Sequence, residues 1–299
     1  MWRMTVMGLL CAAGISLVGC GGGGKPAGLS LNQQHDAVIK SADAPAAKAR
    51  KLATIAEKRL KAGDSPGAKS SLSSAADFAA TVEEPASRAN TLSAVAASFG
   101  RCEEVSDAKR LLKDAEKAAA AVEDPEAKVG VLSEIAAAFG ALNATEMVAY
   151  QLKEAEAAAS KIERPAGKVQ ALSKIAAAAH KAGAKEVATE TANKALEAAR
   201  SLETPRAQVD ALAEIAAVLT KAGDTEQGTA IFSDARKLAD GISDPEAQAF
   251  GYLTLAKRQK EAGKKDEMEE LLKLSEAAGR KTNDDKEISA EIDRVRSGK

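Results

Sequence analysis

The chain predicts an all-α protein, an array of about six helical hairpins closed by a C-terminal capping helix. Three observations carry this expectation. Proline recurs every 40 residues, at Pro45, Pro85, Pro125, Pro165, Pro205 and Pro245. Each proline opens an Ala-rich segment whose apolar residues return at helical spacing. A turn-forming Gly or Asn stands 18 residues after the proline in five of the six copies. A period in this range marks a unit that cannot bury its apolar face alone, so stacked neighbours supply the core.

Taken in order, the first segment is residues 1–19. Arg3 precedes an uncharged apolar run over residues 4–18, shorter than the roughly 18 to 20 residues of a permanent membrane-spanning helix. It reads as a signal peptide. Its end, Leu17-Val18-Gly19-Cys20, resembles the lipobox of bacterial lipoproteins. That resemblance implies cleavage before Cys20 and diacylglycerol on its sulfur, and acyl chains in pairs hold a protein stably at a membrane. Cys11 is the rival, but Leu10 before it is too bulky for that pattern. The plainer reading is ordinary cleavage that leaves Cys20 as a thiol. Gly21 lacks the Asp that retains some lipoproteins at an inner membrane, so the expectation is an outer membrane facing the periplasm, where the organism has one.

Residues 20–41 are read as the lipidated Cys and a flexible tether, with residues 32–41 as a short N-terminal cap. The spacing from Gly19 to Lys25 matches a phosphate-binding loop, but Pro26 replaces the magnesium-binding Ser or Thr and no strand precedes it. No nucleotide or other cofactor is expected.

Residues 42–282 hold the six copies. Counting from each proline as zero, the residue before it is an N-cap in the better copies, Asp124, Thr204 and Asp244. Proline at the first helical position costs no hydrogen bond. Apolar residues then fall at offsets 4, 7, 10, 11 and 14, as Val209, Leu212, Ile215, Ala216 and Leu219 show. Offset 18 is Gly63, Asn143, Gly183, Gly223 or Gly263, with Glu103 as the exception. Gly100 and Gly140 suggest that the first helices of the second and third copies end about a turn early. A second helix follows, with apolar or small residues such as Ala108, Leu112, Ala115, Ala119 and Val122. Residues 283–299 place Ile288, Ile292 and Val295 on one face behind the N-cap candidates Asn283 and Asp284, as a capping helix would.

In the fifth copy Leu212, Ile215, Ala216, Leu219, Gly223, Phe232 and Ala235 occupy the relative spacing of the large, apolar, small, turn and aromatic positions of the tetratricopeptide repeat. The chain is similar to that family over residues 42–282. It departs in having a unit of 40 rather than 34 residues, proline opening the first helix rather than closing the second, and Gly228 where the family has Ala. HEAT-like stacking is the second reading. The resemblance implies a right-handed solenoid whose first helices line a concave groove that binds segments of other proteins.

The stripe opposite the core falls at offsets 5, 8, 9 and 12. It comprises Gly130, Ser133, Glu134 and Ala137, then Gln170, Ser173, Lys174 and Ala177, then Asp210, Ala213, Glu214 and Ala217. Gln170, Lys174, Asp210 and Glu214 are the candidate partner-binding residues. The family's peptide-gripping Asn corresponds here to Ala97, Ala137, Ala177 and Ala217, so capture of a terminal carboxylate in that manner is not expected. A solvated helical face enriched in Ala for its propensity gives the same pattern.

Other chemistries find little support. Lys and Arg number 42 against 43 Asp and Glu, with aromatics at 3%, which does not suit nucleic acid. His35 and His180 stand apart from one another and from paired carboxylates, so no metal site or catalytic constellation is expected, and both are read as solvated. Cys102 sits between Arg101 and two glutamates, Glu103 and Glu104, and is read as a bystander. Asn143 begins a glycosylation sequon but is better explained as a turn residue. The expected function is a membrane-anchored envelope scaffold for an unknown protein or peptide segment, with a self-associating structural protein as the alternative.

Overall fold

The computed structural model describes residues 29–282 and 285–298. The signal peptide, Cys20, the first part of the tether and the N-cap candidates Asn283 and Asp284 lie outside the described residues. Among those described there are fourteen α-helices and no strand. The first helices of the six hairpins are α2 (Pro45–Lys61), α4 (Pro85–Arg101), α6 (Pro125–Gly140), α8 (Pro165–Lys181), α10 (Pro205–Ala222) and α12 (Pro245–Glu261). Their partners are α3 (Ser65–Ala80), α5 (Val105–Ala120), α7 (Thr145–Ala159), α9 (Lys185–Ala199), α11 (Thr225–Asp240) and α13 (Lys265–Gly279). Helices α1 (Leu31–Lys40) and α14 (Asp285–Ser297) cover the two ends.

Each first helix starts where proline permits it. The Asp124, Thr204 and Asp244 side chains accept from the amides of Ala127, Ala207 and Ala247 at 2.7, 3.2 and 2.8 Å. Such caps contribute about 1 kcal/mol each. Offset 18 turns the chain in the left-handed region in every copy, including Asn143 (φ 54°) and Glu103 (φ 62°). The expected early ends of α4 and α6 do not occur, since both run on to Arg101 and Gly140. Their terminal glycines serve packing instead. A Cβ on Gly100 would meet the Leu142 side chain at 2.6 Å, and one on Gly140 would meet the Ala182 backbone at 2.4 Å.

The apolar stripe of the first helices is buried in every copy except at Leu212, and that of the second helices except at Phe232 and Thr282. Burying a Leu or Ile in this way contributes about 1.5 to 3 kcal/mol. Consecutive first helices pack directly on one another, and each second helix packs on its own first helix and the next one. Second helices reach their successors through longer polar side chains. Thr191 donates to Glu156 at 2.9 Å, Gln227 to Asn193 at 2.7 Å, and Arg236 to Glu270 at 3.0 Å. The closer spacing of the first helices puts them on the concave side of the array.

A further tie was not anticipated. In several copies the residue at offset 3 reaches back to the end of the preceding helix or the turn after it, as Lys48 does to the Ile39 carbonyl (3.0 Å), Gln208 to Leu202 (2.8 Å) and Gln248 to Ala239 (3.2 Å). It satisfies carbonyls that a helix end leaves open. The core falls into two clusters, one running from Ala49 to Ile231 and the other from Val209 to Val295, with Leu212 and Phe232 packed against both.

Candidate functional site

The concave face is narrower than the sequence suggests. Offset 8 is not part of it, because Ser133, Ser173 and Ala213 are buried where one first helix packs on its neighbour, and Ala137 is buried as well. Small residues are needed there so that the helix backbones can approach. The stripe that stays open is offsets 5 and 9, with part of offset 12.

Between α8, α10 and α12 this face holds a depression of about 340 Å³. Gln170 enters it from α8, Asp210 and Glu214 from α10, and Thr254 and Arg258 from α12, with Arg164 at the start of α8. Three of the four expected residues are therefore brought together. Lys174 is exposed one helical turn from Gln170 and does not line the depression. Asp210 is held by Arg206 at 3.1 Å, while its second oxygen is buried without a hydrogen-bond partner. Arg206 also lies over the Phe250 ring, 4.9 Å from its centroid. Arg164 pairs with Glu126 at 2.6 Å and Arg258 with Glu261 at 3.1 Å. Among the described residues Lys174 and Glu214 have no ion-pair partner, which leaves one charge of each sign for a ligand.

Thr254 and Arg258 were missed by the sequence analysis. Thr254 has the same offset, 9, as Lys174 and Glu214, so extending the stripe into the sixth copy would have found it. Arg258 could be found only from the stacking of α12 on α10. Along the rest of the concave face Glu57 is paired with Arg101, and Glu134 with Lys181 at 3.6 Å.

The histidines are not the solvated residues expected. His35 and His180 are both half-buried, and each has one ring nitrogen buried without a partner. Cys102 is half-buried too. Burial raises its thiol above the ordinary range, Arg101 lowers it, and Glu104 with Glu57 raises it again. Among the described residues no group of three or more His, Cys, Asp or Glu is gathered as metal ligands would be, and no helix is long and apolar enough to cross a membrane.

No family model matches the chain, and no curated protein is significantly similar to it in sequence. Solved structures share its helical layout in part. Ton1535 from Thermococcus onnurineus NA1 is 15% identical, with 86% of this chain and 94% of that one covered and a TM-score of 0.45. A Podosopora anserina kinesin light chain protein with nearly identical TPR-like repeats is 17% identical, covering 66% and 97%, with a TM-score of 0.40. BtubC from P. vanneervenii is 18% identical, covering 72% and 94%, with a TM-score of 0.40.

Proposed function

We propose that this protein is a membrane-anchored lipoprotein of the bacterial cell envelope whose concave face binds a segment of a partner protein. The observation that carries the binding half is the depression shared by α8, α10 and α12, where Gln170, Asp210, Glu214, Thr254 and Arg258 converge from three stacked hairpins. A surface built from several helices can fix an extended or helical segment along its length, with polar groups setting register. The anchoring half rests on the Leu17-Val18-Gly19-Cys20 sequence, and Gly21 favours the outer membrane facing the periplasm.

Two experiments test the halves separately. Labelled fatty acid should be incorporated in cells and lost on Cys20→Ala, with the protein moving out of the membrane fraction; unchanged fractionation defeats the anchor. Residues 26–299 used as bait in envelope extract should retain one envelope protein after crosslinking, and a Lys174→Glu, Glu214→Lys double variant should lose it. Recovery of the bait alone would replace the scaffold reading with that of a self-associating structural protein.

A further inference from the structure

A second cavity lies on the other side of Arg258 from the concave depression, between α10, α11 and α12, with a volume of about 320 Å³. It occupies the place where the two core clusters meet. Phe232, on its lining, is only half-buried, although its counterparts in the other five copies are buried. Phe232, Ala216 and Ala213 give the cavity an apolar wall.

Gln259 also lines it. At the same offset, 14, the second, third and fifth copies carry Phe99, Phe139 and Leu219 in the core. Gln259 is 8% exposed, and its side-chain amide makes no hydrogen bond within the described protein. The first copy shows a polar residue at this offset whose terminal nitrogens do find partners. Arg59 there donates to Gly67 and Leu31 carbonyls at 3.0 and 3.3 Å and to the Asn32 side chain at 2.6 Å. Helix α14 offers Gln259 no such partner.

The rim is cationic. Lys221 and Lys264 have no carboxylate partner among the described residues, and the one carboxylate at the rim, Glu261, is held by Arg258 at 3.1 Å. An apolar wall, an unmatched amide and two free ammonium groups complement a molecule with a hydrocarbon body and an anionic head. The volume equals that of about ten water molecules, which limits the ligand to roughly ten heavy atoms.

We propose that this cavity binds a small amphiphilic carboxylate, its alkyl chain against Phe232 and Ala216 and its head group held by Gln259, Lys221 and Lys264. This site shares Arg258 with the concave depression, but the three residues that hold the head group, Gln259, Lys221 and Lys264, do not line that depression, so their variants read this site alone.

The test uses the full-length chain with Cys20→Ala, so that no acyl chain of its own competes, and titrates octanoate, 1-octanol and octylamine by calorimetry. Octanoate should bind saturably at one site, about tenfold more tightly than the alcohol. Lys221→Ala with Lys264→Ala should bring octanoate down to the alcohol's affinity. Gln259→Leu, which removes the amide and keeps a side chain of similar length, should weaken octanoate and leave the alcohol's affinity nearly unchanged. Gln259→Glu, which keeps the side chain's size but adds a negative charge, should weaken octanoate by about tenfold or more. The proposal is overturned by absence of saturable octanoate binding up to about millimolar concentration. It is equally overturned by octylamine binding as tightly as octanoate, or by unchanged affinity in the Gln259→Glu protein.

Discussion

A Cβ on Gly140 would stand 2.4 Å from the Cα of Ala182, so the end of α6 and the turn after α8 meet backbone to backbone. Gly100 one repeat earlier stands in the same relation to Leu142, but what a Cβ would meet there is the tip of a side chain, at 2.6 Å. The two glycines occupy the same offset and have different tolerances.

Gly140→Ala should therefore destabilise the protein by about 1 to 2 kcal/mol, the cost of overpacking exceeding the roughly 1 kcal/mol that Ala gains over Gly inside a helix. Gly100→Ala should fall within about 0.5 kcal/mol of the parent, because Leu142 can turn aside. Urea midpoints measure both. Equal effects from the two substitutions would mean that these contacts do not set the spacing of the hairpins.

Glu103 holds a φ of 62° at the position where four other copies have glycine. A residue with a Cβ loses about 1 kcal/mol or more in that conformation. Glu103→Gly should raise stability by about 1 kcal/mol, and Gly183→Ala should lower it by a similar amount. Thermal or denaturant melts of the two variants decide the matter, and a loss of stability in the first contradicts the strained turn.

Arg59 is buried and joins three acceptors, two of them on α1. Arg59→Met keeps the apolar stem and removes the hydrogen bonds. Loss of protection from amide hydrogen exchange should be confined to α1 and the adjoining start of α3, with a stability loss of about 1 to 3 kcal/mol. Protection of α1 equal to the parent's would show that apolar contacts alone hold the cap.

Tyr252 donates to Asp240 at 2.7 Å, and burial, reinforced by that bond and the carboxylate's charge, pushes its phenol up to about 12. Below the ordinary value of 10 both folded and unfolded chains keep the proton and stability is indifferent to this group. Between 10 and about 12 the unfolded chain ionises first, so this contribution falls as pH rises. Tyr252→Phe should remove that slope, and the tyrosinate absorbance lost in the variant should belong to the step near pH 12. An absorbance difference centred near pH 10 would contradict the buried hydrogen bond.

Much of the architecture was legible because it is local. Pro205 after Thr204 specifies a helix start, Gly223 its end, and the stripe from Val209 to Leu219 the face that is buried. The concave site was legible only in part. Gln170, Asp210 and Glu214 share a depression as the repeat spacing suggested, whereas Ser133, Ser173 and Ala213 disappeared into the seam between first helices. A single helix cannot reveal which of its non-core faces its neighbour covers.

By itself the sequence determined the number of hairpins, the ends of most helices and the stripes that build the core. These depend on backbone φ, capping and a 3.6-residue period, all of which act within one repeat. Only the tertiary structure decided why Gly100 and Gly140 are tolerated at the ends of α4 and α6, that Arg59 finds acceptors on α1 while Gln259 faces a cavity, and that this cavity opens between the fifth and sixth hairpins. Those features arise from the distances between residues on different helices. That distance is fixed by how whole helices pack, since each contact depends on the shape of both partners.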